Sequence, residues 1–305
     1  YVAFFAVGAY MYGLLSSPHL TNTFTTMAAM FPEGMHMPIW LIVPVGAALA
    51  GLFGMLLGAP TLKLRGDYLA IVTLGFGEII RVFMNNLDHP VNITNGPKGL
   101  DQIDPISIFG LNLGKKLMIG DFEIASVSLY YYLFLSLVLV TILISHRLEV
   151  SRIGRAWMAI REDEIAAKAI GINTRNLKLL AFAMGASFGG VAGGVFSAMQ
   201  GFVSPESFSL IESIMILAMV VLGGMGHIPG VILGAVLLSI LPEVLRYGVG
   251  PLQMALFGKM LIDPESLRML IFGLALVLVM RFKPGGLWPS PERKRELSEK
   301  RAGAV

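Results

Sequence analysis

Long apolar segments separated by polar loops constrain this chain more than any other feature of its sequence. The hydrocarbon core of a bilayer is about 30 Å thick, so an α-helix needs about 20 mainly apolar residues to cross it. Of the 305 residues, 55% are hydrophobic and 14% are charged, which leaves no large soluble domain. The sequence predicts an all-α, polytopic transmembrane bundle of about eight spans. These are residues 1–15, 38–58, 68–84, 124–145, 177–200, 210–223, 231–245 and 267–280.

The basic residues predict which loops are cytoplasmic, because Lys and Arg concentrate on that side of a membrane protein. Of the 23 Lys and Arg residues, seven lie in the loop 146–178 and seven follow residue 280. Two more, Lys63 and Arg65, lie in the turn between the second and third spans. An alternating path places all three regions inside and the polar loop 85–123 outside. The net charge of +3 is explained by these loops, and no nucleic acid is expected as a partner.

The predicted organisation is one membrane domain with a tail. Residues 1–290 form the transmembrane domain, in which 146–178 is a cytoplasmic loop and 85–123 is a loop on the outer face. Residues 291–305 form a basic cytoplasmic tail. The chain opens inside an apolar run without an initiator Met, so we expect that upstream sequence has been lost. The opening run lacks the basic leading region and the cleavage site of a signal peptide.

The cytoplasmic loop has the pattern of two short helices. Between residues 153 and 160, apolar side chains recur at helical spacing and charged side chains fill the rest of the turn. The apolar positions are Ile153, Ala156, Trp157 and Ile160. Asp163 is suited to cap a second helix, and Gly171 is suited to end it. Such a segment can lie on lipid headgroups or project towards a partner.

Residues 154–172, GRAWMAIREDEIAAKAIGI, resemble the cytoplasmic coupling loop of permease subunits in the bacterial branched-chain amino acid ABC importer family. The general importer motif is Glu-Ala-Ala, three residues and Gly. Ala166, Ala167 and Gly171 match it, whereas Ile165 stands where Glu is expected and Glu164 is displaced by one position. Four further stretches are similar to this family, at residues 62–81, 203–208, 222–235 and 281–287. The resemblance implies an ATPase-coupling role for Arg152, Gly154, Arg155, Trp157, Glu162, Glu164, Ala166, Ala167 and Gly171.

The resemblance also implies a function and a set of partners. A member of this family is a permease subunit that moves branched-chain or other hydrophobic amino acids across the bacterial inner membrane. Its implied partners are a homologous second permease, two ATPases that bind ATP and Mg, and a periplasmic substrate-binding protein; no cofactor is expected in this chain. The loops 85–123, 201–209 and 247–264 either receive the binding protein or are solvated connectors. Two alternatives are a urea or short-amide permease of the same family and an ion-coupled secondary transporter.

Two Glu-x-x-Arg pairs lie within apolar segments. Glu78 and Arg81 share one helical face near the outer side of the third span, and Glu243 and Arg246 hold the same place in the seventh. A charge inside a membrane is costly unless it is paired, so each pair is either a brace between helices or a lining of the substrate path. Removal of one partner is expected to be more damaging than removal of both. The matched pairs predict a parallel repeat, in which spans one to three correspond to spans five to seven.

Two groups of glycines indicate close approach of the backbone. Four of them form overlapping small-xxx-small pairs in the fifth span, which allow another helix to pack closely. The others lie in and after the turn between the sixth and seventh spans, where Pro229 opens a helix. The predicted packing residues are Gly189, Gly190, Gly193, Gly194, Gly223, Gly224, Gly230 and Gly234. Ser204 and Pro205 also indicate a helix start, and Glu212 is suited to the N-terminal end of the sixth span.

No catalytic or metal-binding constellation is evident in the sequence. The five His residues are scattered, no HExxH motif occurs, and the chain has no Cys for a thiolate site. Gly110 to Lys116 resembles a phosphate loop, but it has one residue too few between its glycines and no Ser or Thr after the Lys. We therefore expect a transport subunit and not an enzyme, with ATP hydrolysed by a partner.

Overall fold

The computed structural model describes residues 1–32, 34–62, 64, 67–108, 110–119, 122–257, 264–283 and 285–289. The chain divides into two compact units, Tyr1–Leu210 and Ile211–Val305. The α-helices in the described residues are α1 (Val2–Ser16), α2 (His19–Thr23), α3 (Thr25–Met30), α4 (Ile39–Thr61), α5 (Asp67–Asn86), α6 (Ser126–Val150), α7 (Arg152–Glu162), α8 (Glu164–Ala169), α9 (Thr174–Gln200), α10 (Leu210–Gly223), α11 (Ile228–Phe257) and α12 (Pro264–Phe282).

Each of the eight predicted apolar segments corresponds to a helix. In the part of the chain that the structure describes, five helical stretches are long and apolar enough to cross a membrane. They are Ile39–Thr61, Ser126–Val150, Thr174–Gln200, Pro205–Gly223 and Ile228–Gly248. Val2–Ser16 and Leu270–Val279 are apolar but shorter. The helical, polytopic class is therefore confirmed, whereas the number of eight spans and the internal repeat stay predictions.

The core of the first unit is formed by α1, α4 and α9. Gly8 of α1 faces the backbone of Gly190 in α9, and a Cβ atom added to Gly8 would overlap the Gly190 carbonyl group. Gly190 also faces α4, where an added Cβ would lie 2.6 Å from the Cβ of Ala50. Since lipid solvates apolar side chains as well as protein does, close packing at small residues is what holds such helices together.

The polar connector between α5 and α6 contains secondary structure that the all-α prediction omitted. A 3-10 turn spans Gly96–Lys98, and two antiparallel hairpins follow. The hairpins pair β1 (Ser107–Ile108) with β2 (Leu111–Asn112), and β3 (Leu117–Ile119) with β4 (Phe122–Ile124). Gly110, with a φ of 86°, lies in the turn of the first hairpin, where glycine permits the tight reversal. The stretch that resembled a phosphate loop lies within these hairpins.

The connector is held against the C-terminal end of α9. Leu100 and Val203 form an antiparallel backbone bridge, and both side chains are buried. The buried hydroxyl of Tyr130 in α6 donates to the Ala198 carbonyl at 3.1 Å and accepts from the Ile106 amide at 3.2 Å. Buried polar groups are therefore hydrogen-bonded where these elements meet, which fixes the position of the connector on the first unit.

The second unit packs α10, α11 and α12 around a small apolar cluster. Its buried members are Ala218, Leu222, Leu238 and Phe272. The tight turn between α10 and α11 depends on glycine. A Cβ added to Gly223 would overlap the Gly230 carbonyl, and one added to Gly234 would overlap the Met219 carbonyl.

Residues after α12 return to the end of α10 within this second unit. The amides of Leu287 and Trp288 donate to the carbonyls of Leu222 and Gly223 at 2.8 and 3.0 Å. These carbonyls belong to the last turn of α10, where intrahelical partners are missing. The Trp288 carbonyl lies 3.2 Å from His227 Nδ1, and the His227 and Trp288 ring centroids lie 5.7 Å apart with the rings tilted by 53°. The turn between α10 and α11 is thus closed by a segment distant in sequence.

One predicted boundary and one predicted helix cap are wrong. The loop expected at 247–264 is helical as far as residue 257, because α11 continues through Pro251, which removes one backbone hydrogen bond without ending the helix. At Ser204 the predicted cap is wrong. A helical stretch does begin at Pro205, as expected, but its first turn, Pro205–Ser207, is a 3-10 turn. The Ser204 hydroxyl lies 3.3 Å from the Ser207 hydroxyl where a capping contact to a backbone amide was expected.

Some predictions fall outside the described residues. These are the orientation signals Lys63 and Arg65 and the basic tail 291–305. The assignment of these regions to the cytoplasm stays a prediction.

Candidate functional site

The 146–178 loop has the predicted helix-break-helix form. Ser151 begins α7 by accepting a hydrogen bond from the Gly154 amide at 3.1 Å. Asp163 caps α8, where its Oδ1 accepts from the Ile165 and Ala166 amides at 2.7 and 3.0 Å. Gly171 follows α8 with a φ of 88°, a left-handed conformation that favours glycine. The sequence therefore defines both helices of this segment through local capping.

The first helix of the segment follows α6 through a tight turn. Gly154 is buried, and a Cβ there would overlap the carbonyls of Leu148 and Glu149 at the end of α6. Arg155 is exposed and donates to the Val150 carbonyl at 2.7 Å. Such a cation satisfies a terminal carbonyl and interacts favourably with the helix dipole. The turn thus fixes the direction in which α7 leaves the membrane helix.

Two long-range contacts fasten the segment to the first turns of α9. Trp157 Nε1 donates to the Leu177 carbonyl at 2.8 Å. Lys178 Nζ lies 2.7 Å from Glu164 Oε2, and both side chains are about one-third exposed. Ala167 is also buried, so one face of α8 is covered. The apolar stripe predicted for α7, at Ile153, Ala156, Trp157 and Ile160, is partly buried in the same way.

The other face of α8 is open and apolar. Ile165 is 78% exposed and Ile170 is 75% exposed, and Ala166 lies exposed beside them. Charged side chains surround this patch, with Glu162 at the end of α7 and Lys168 within α8. A small apolar patch with a charged rim is typical of a protein-protein contact. The geometry therefore offers a docking face that includes Ala166 and leaves Ala167 underneath.

In the C-terminal half of α5, Arg81 lies between two carboxylates. Its Nε donates to Glu78 Oε1 at 3.0 Å, and its Nη1 donates to Glu206 Oε1 at 3.1 Å. Asn85 also reaches Glu206, at 3.5 Å. The Arg81 side chain is 24% exposed, whereas those of Glu78 and Glu206 are 43% and 68% exposed. The predicted pair is therefore present, and a third member links it to the connector between α9 and α10.

That connector is anchored on α1 by an aromatic side chain. Phe208 is buried, and its ring lies 6.0 Å from that of Phe5 and 6.1 Å from that of Tyr10. The Arg81–Glu206 contact therefore joins α5 to a segment whose position is already fixed.

The second Glu-x-x-Arg pair differs from the first. Glu243 and Arg246 lie on α11 with exposed side chains, and neither forms an ion pair with another described residue. The two pairs match in spacing and not in contacts. The shared Glu-x-x-Arg spacing therefore does not mean that the two pairs make the same contacts.

The packing glycines divide between the two units. In α9, Gly193 faces the Phe5 carbonyl, Gly189 lies against Phe4, and Gly194 faces Gly8. In the second unit, Gly224 has a φ of 123°, and an added Cβ there would lie 2.7 Å from the Trp288 carbonyl. The close approach of backbones requires glycine at Gly193 and at Gly224.

Sequence reasoning missed three residues that these arrangements use, Lys178, Leu177 and Glu206. In the sequence, Lys178 is one of seven basic residues in the 146–178 loop, and Glu206 simply follows the predicted helix start at Ser204 and Pro205. Leu177 takes part through its carbonyl, which leaves no signal in the side chain. The opposite charges of Glu164 and Lys178 were the one feature of the sequence that could have suggested this contact.

Within the part of the chain that the structure describes, no three His, Cys, Asp or Glu side chains are grouped so that they could hold a metal ion. The arrangements that the described residues do form are packing contacts, helix caps and ion pairs. They suit positioning and docking, and they contain no nucleophile activated by a neighbouring base.

Five membrane-length helices, with an amphipathic helix pair fastened to one of them, define a multi-pass membrane protein. Residues 1–280 match the family described as branched-chain amino acid transport system / permease component. The chain belongs to this family.

Individual relatives support this assignment. The chain is 39% identical over 301 residues to the high-affinity branched-chain amino acid transport system permease protein LivM of Escherichia coli (strain K12), covering 95% of this chain and 63% of the relative. It is 38% identical over 314 residues to LivM of Salmonella typhimurium, covering 99% of this chain and 66% of the relative. The chain thus spans about two-thirds of the length of these two proteins. It is 30% identical over 159 residues to the permease LivH of Escherichia coli (strain K12), covering 52% and 46% of the two chains. No solved structure matches the chain significantly.

Proposed function

We propose that this chain is a permease subunit of an ATP-driven importer for branched-chain or other hydrophobic amino acids in the bacterial inner membrane. The family and the two LivM relatives support the substrate class. The α7–α8 segment supports the mode of energy supply, since it presents an open apolar patch while its other face is fastened to a membrane helix. In this proposal residues 1–290 are the permease domain, and 291–305 are its cytoplasmic tail.

The proposed partners follow from the same observations. ATP and Mg are bound by two ATPase subunits, which dock on α8 and its charged rim. The lower similarity to LivH supports a second permease that is homologous to this chain. A periplasmic binding protein delivers the amino acid to the outer layer, where the Leu100–Val203 bridge joins the 85–123 and 201–209 segments.

Uptake measured with and without the ATPases tests this function. We expect proteoliposomes that contain the permeases, the ATPases and the binding protein to accumulate labelled leucine when ATP is enclosed on the ATPase side. Vesicles without the ATPases should show no accumulation. Uptake driven by an ion gradient alone would favour a secondary transporter, and ATP-driven uptake of urea in place of leucine would favour the other branch of the family.

Replacing Arg155 by Glu is expected to weaken coupling. The change removes the contact with the Val150 carbonyl and places a negative charge at the C-terminal end of α6, where the helix dipole is also negative. ATP-driven uptake should fall several-fold, while the amount of protein in the membrane stays near that of the parent. Arg175→Glu is the control, because Arg175 is exposed in the same 146–178 loop and is not among the predicted coupling residues, so uptake should stay near that of the parent. Normal uptake and normal assembly in the Arg155 variant would contradict a coupling role.

A further inference from the structure

The coupling segment and α9 are joined by two contacts, one from each short helix of the segment. Trp157 comes from α7 and bonds the Leu177 carbonyl at 2.8 Å. Glu164 comes from the first residue of α8 and pairs with Lys178 at 2.7 Å. Leu177 and Lys178 are neighbours in the first turns of α9. Both short helices are therefore tied to one place on one helix, and we call these two contacts the clasp.

The helix that receives the clasp is held firmly along its length. α9 has 27 residues without proline, which corresponds to a rod of about 40 Å. Further along it, Gly190 and Gly193 are in backbone contact with α1 and α4. Past its end, Val203 pairs with Leu100, and Glu206 meets Arg81. A displacement at the clasp therefore reaches the outer layer through one continuous helix.

The clasp lies beneath the docking patch and not within it. The Glu164 and Lys178 side chains are 33% and 30% exposed, whereas Ile165 and Ile170 of the patch are more than twice as exposed. The Glu164 carboxylate points back to α9, and Ala167 is buried on the same face. A partner that covers the patch would press on α8, and the clasp connects α8 to the membrane helix α9.

We propose that Lys178 is a positioning residue for energy coupling, which acts by holding Glu164 so that α7, α8 and α9 move as one body. This rests on the proposed function, since it assigns the device that passes motion of the ATPases to the spans. Lys178 touches neither the substrate nor the ATPases. Lys178 fixes the angle at which α8 faces the ATPase. Because α8 is held to α9, a force on α8 also displaces α9.

A charge swap in the assembled transporter tests the clasp. Lys178→Glu places two carboxylates together, and Glu164→Lys places two ammonium groups together. Each is expected to reduce the stimulation of ATPase activity by the loaded binding protein about fivefold, the factor for one partly exposed ion pair. The double variant restores the opposite charges and should recover stimulation to within about twofold. In Lys178→Glu, the ATPases should still copurify with the permease.

Arg175→Glu is the matched control, because Arg175 is exposed in the same turn of α9 and forms no ion pair with another described residue. It should leave the stimulation unchanged. Two results would overturn the proposal: a double variant as poor as the single ones, which would make Glu164 a direct contact of the ATPase, or an equal loss in Arg175→Glu, which would make the effect one of surface charge.

A second measurement does not depend on transport. The chain contains no Cys, so a single Cys at Ala169, which is exposed at the end of α8, can carry a spin label. In the assembled complex without nucleotide, Lys178→Glu should increase the mobility of this label, and the double variant should restore it. A label at Val127, which is 70% exposed at the start of α6, should not respond. If the label at 169 is unaffected by Lys178→Glu, the clasp is wrong. If it responds while the parent complex shows no ATP-driven uptake, the clasp stands and the proposed function fails.

Discussion

Replacing Gly193 by Ala is expected to destabilise the helix core of the first unit. The added Cβ would overlap the Phe5 carbonyl and would lie 3.1 Å from the Ala9 amide nitrogen, and both are backbone atoms that cannot move independently. Overpacking of this kind costs about 1–3 kcal/mol, and more where backbone must shift. We expect a clear fall in the apparent melting temperature in detergent, and we expect Gly193→Leu to yield little folded protein.

Gly185→Ala is the matched control for this experiment. Gly185 lies on the same helix two turns earlier, and an added Cβ there meets no heavy atom within 4 Å. Ala is also favoured over Gly in a helix by about 1 kcal/mol. The control should therefore be as stable as the parent or slightly more so. An equal loss in Gly185→Ala would contradict this explanation, because the control meets no neighbouring atom and its helix propensity is improved.

Replacing Arg81 by Met is expected to be more harmful than replacing Glu78 by Gln. Without Arg81, the carboxylates of Glu78 and Glu206 are left near each other with no cation between them. Without the Glu78 charge, Arg81 keeps its hydrogen bond to Glu206. Each hydrogen bond to a charged group contributes about 1.5–3 kcal/mol. If Glu78 and Arg81 formed a simple pair, the two single variants would behave alike. Because Glu206 is a third member of the cluster, we expect them to differ.

The double variant Glu78→Leu with Arg81→Met distinguishes a brace from a path residue. Folding should recover, since Glu206 is 68% exposed and remains hydrated without a partner. Recovered leucine uptake would identify a brace, whereas folded and inactive protein would place the pair in the path. Glu206→Gln is the companion variant, and it should have a small effect because Glu78 still holds Arg81. Parent-like stability and uptake in all the single variants would show that the cluster serves neither purpose.

Local signals in the sequence predict the helices and their ends well. Asp163 and Gly171 act within a few residues of their own positions, so the form of the α7–α8 segment could be derived from spacing alone. The apolar segments are equally local, because their length and composition depend on no partner. Pro251 shows the limit of this reasoning, since a residue that usually ends a helix is accommodated inside α11.

Contacts between distant residues were beyond prediction from one sequence. Arg81 and Glu206 are 125 residues apart, and no periodic pattern connects them. The glycines of α9 indicated that some backbone comes close, but their spacing does not say that the neighbours are α1 and α4. Glu243 and Arg246 repeat the spacing of Glu78 and Arg81 without repeating the contacts, because an ion pair depends on what surrounds it as well as on helical register.

The return of the chain to the end of α10 has a consequence for the order of biosynthesis. The amides that satisfy the Leu222 and Gly223 carbonyls belong to Leu287 and Trp288, and Trp288 is made 61 residues after His227. The partners of those carbonyls are therefore synthesised after α10, α11 and α12. The turn between α10 and α11 can close only after residue 288 has been translated, so it is completed later than the helices that it joins.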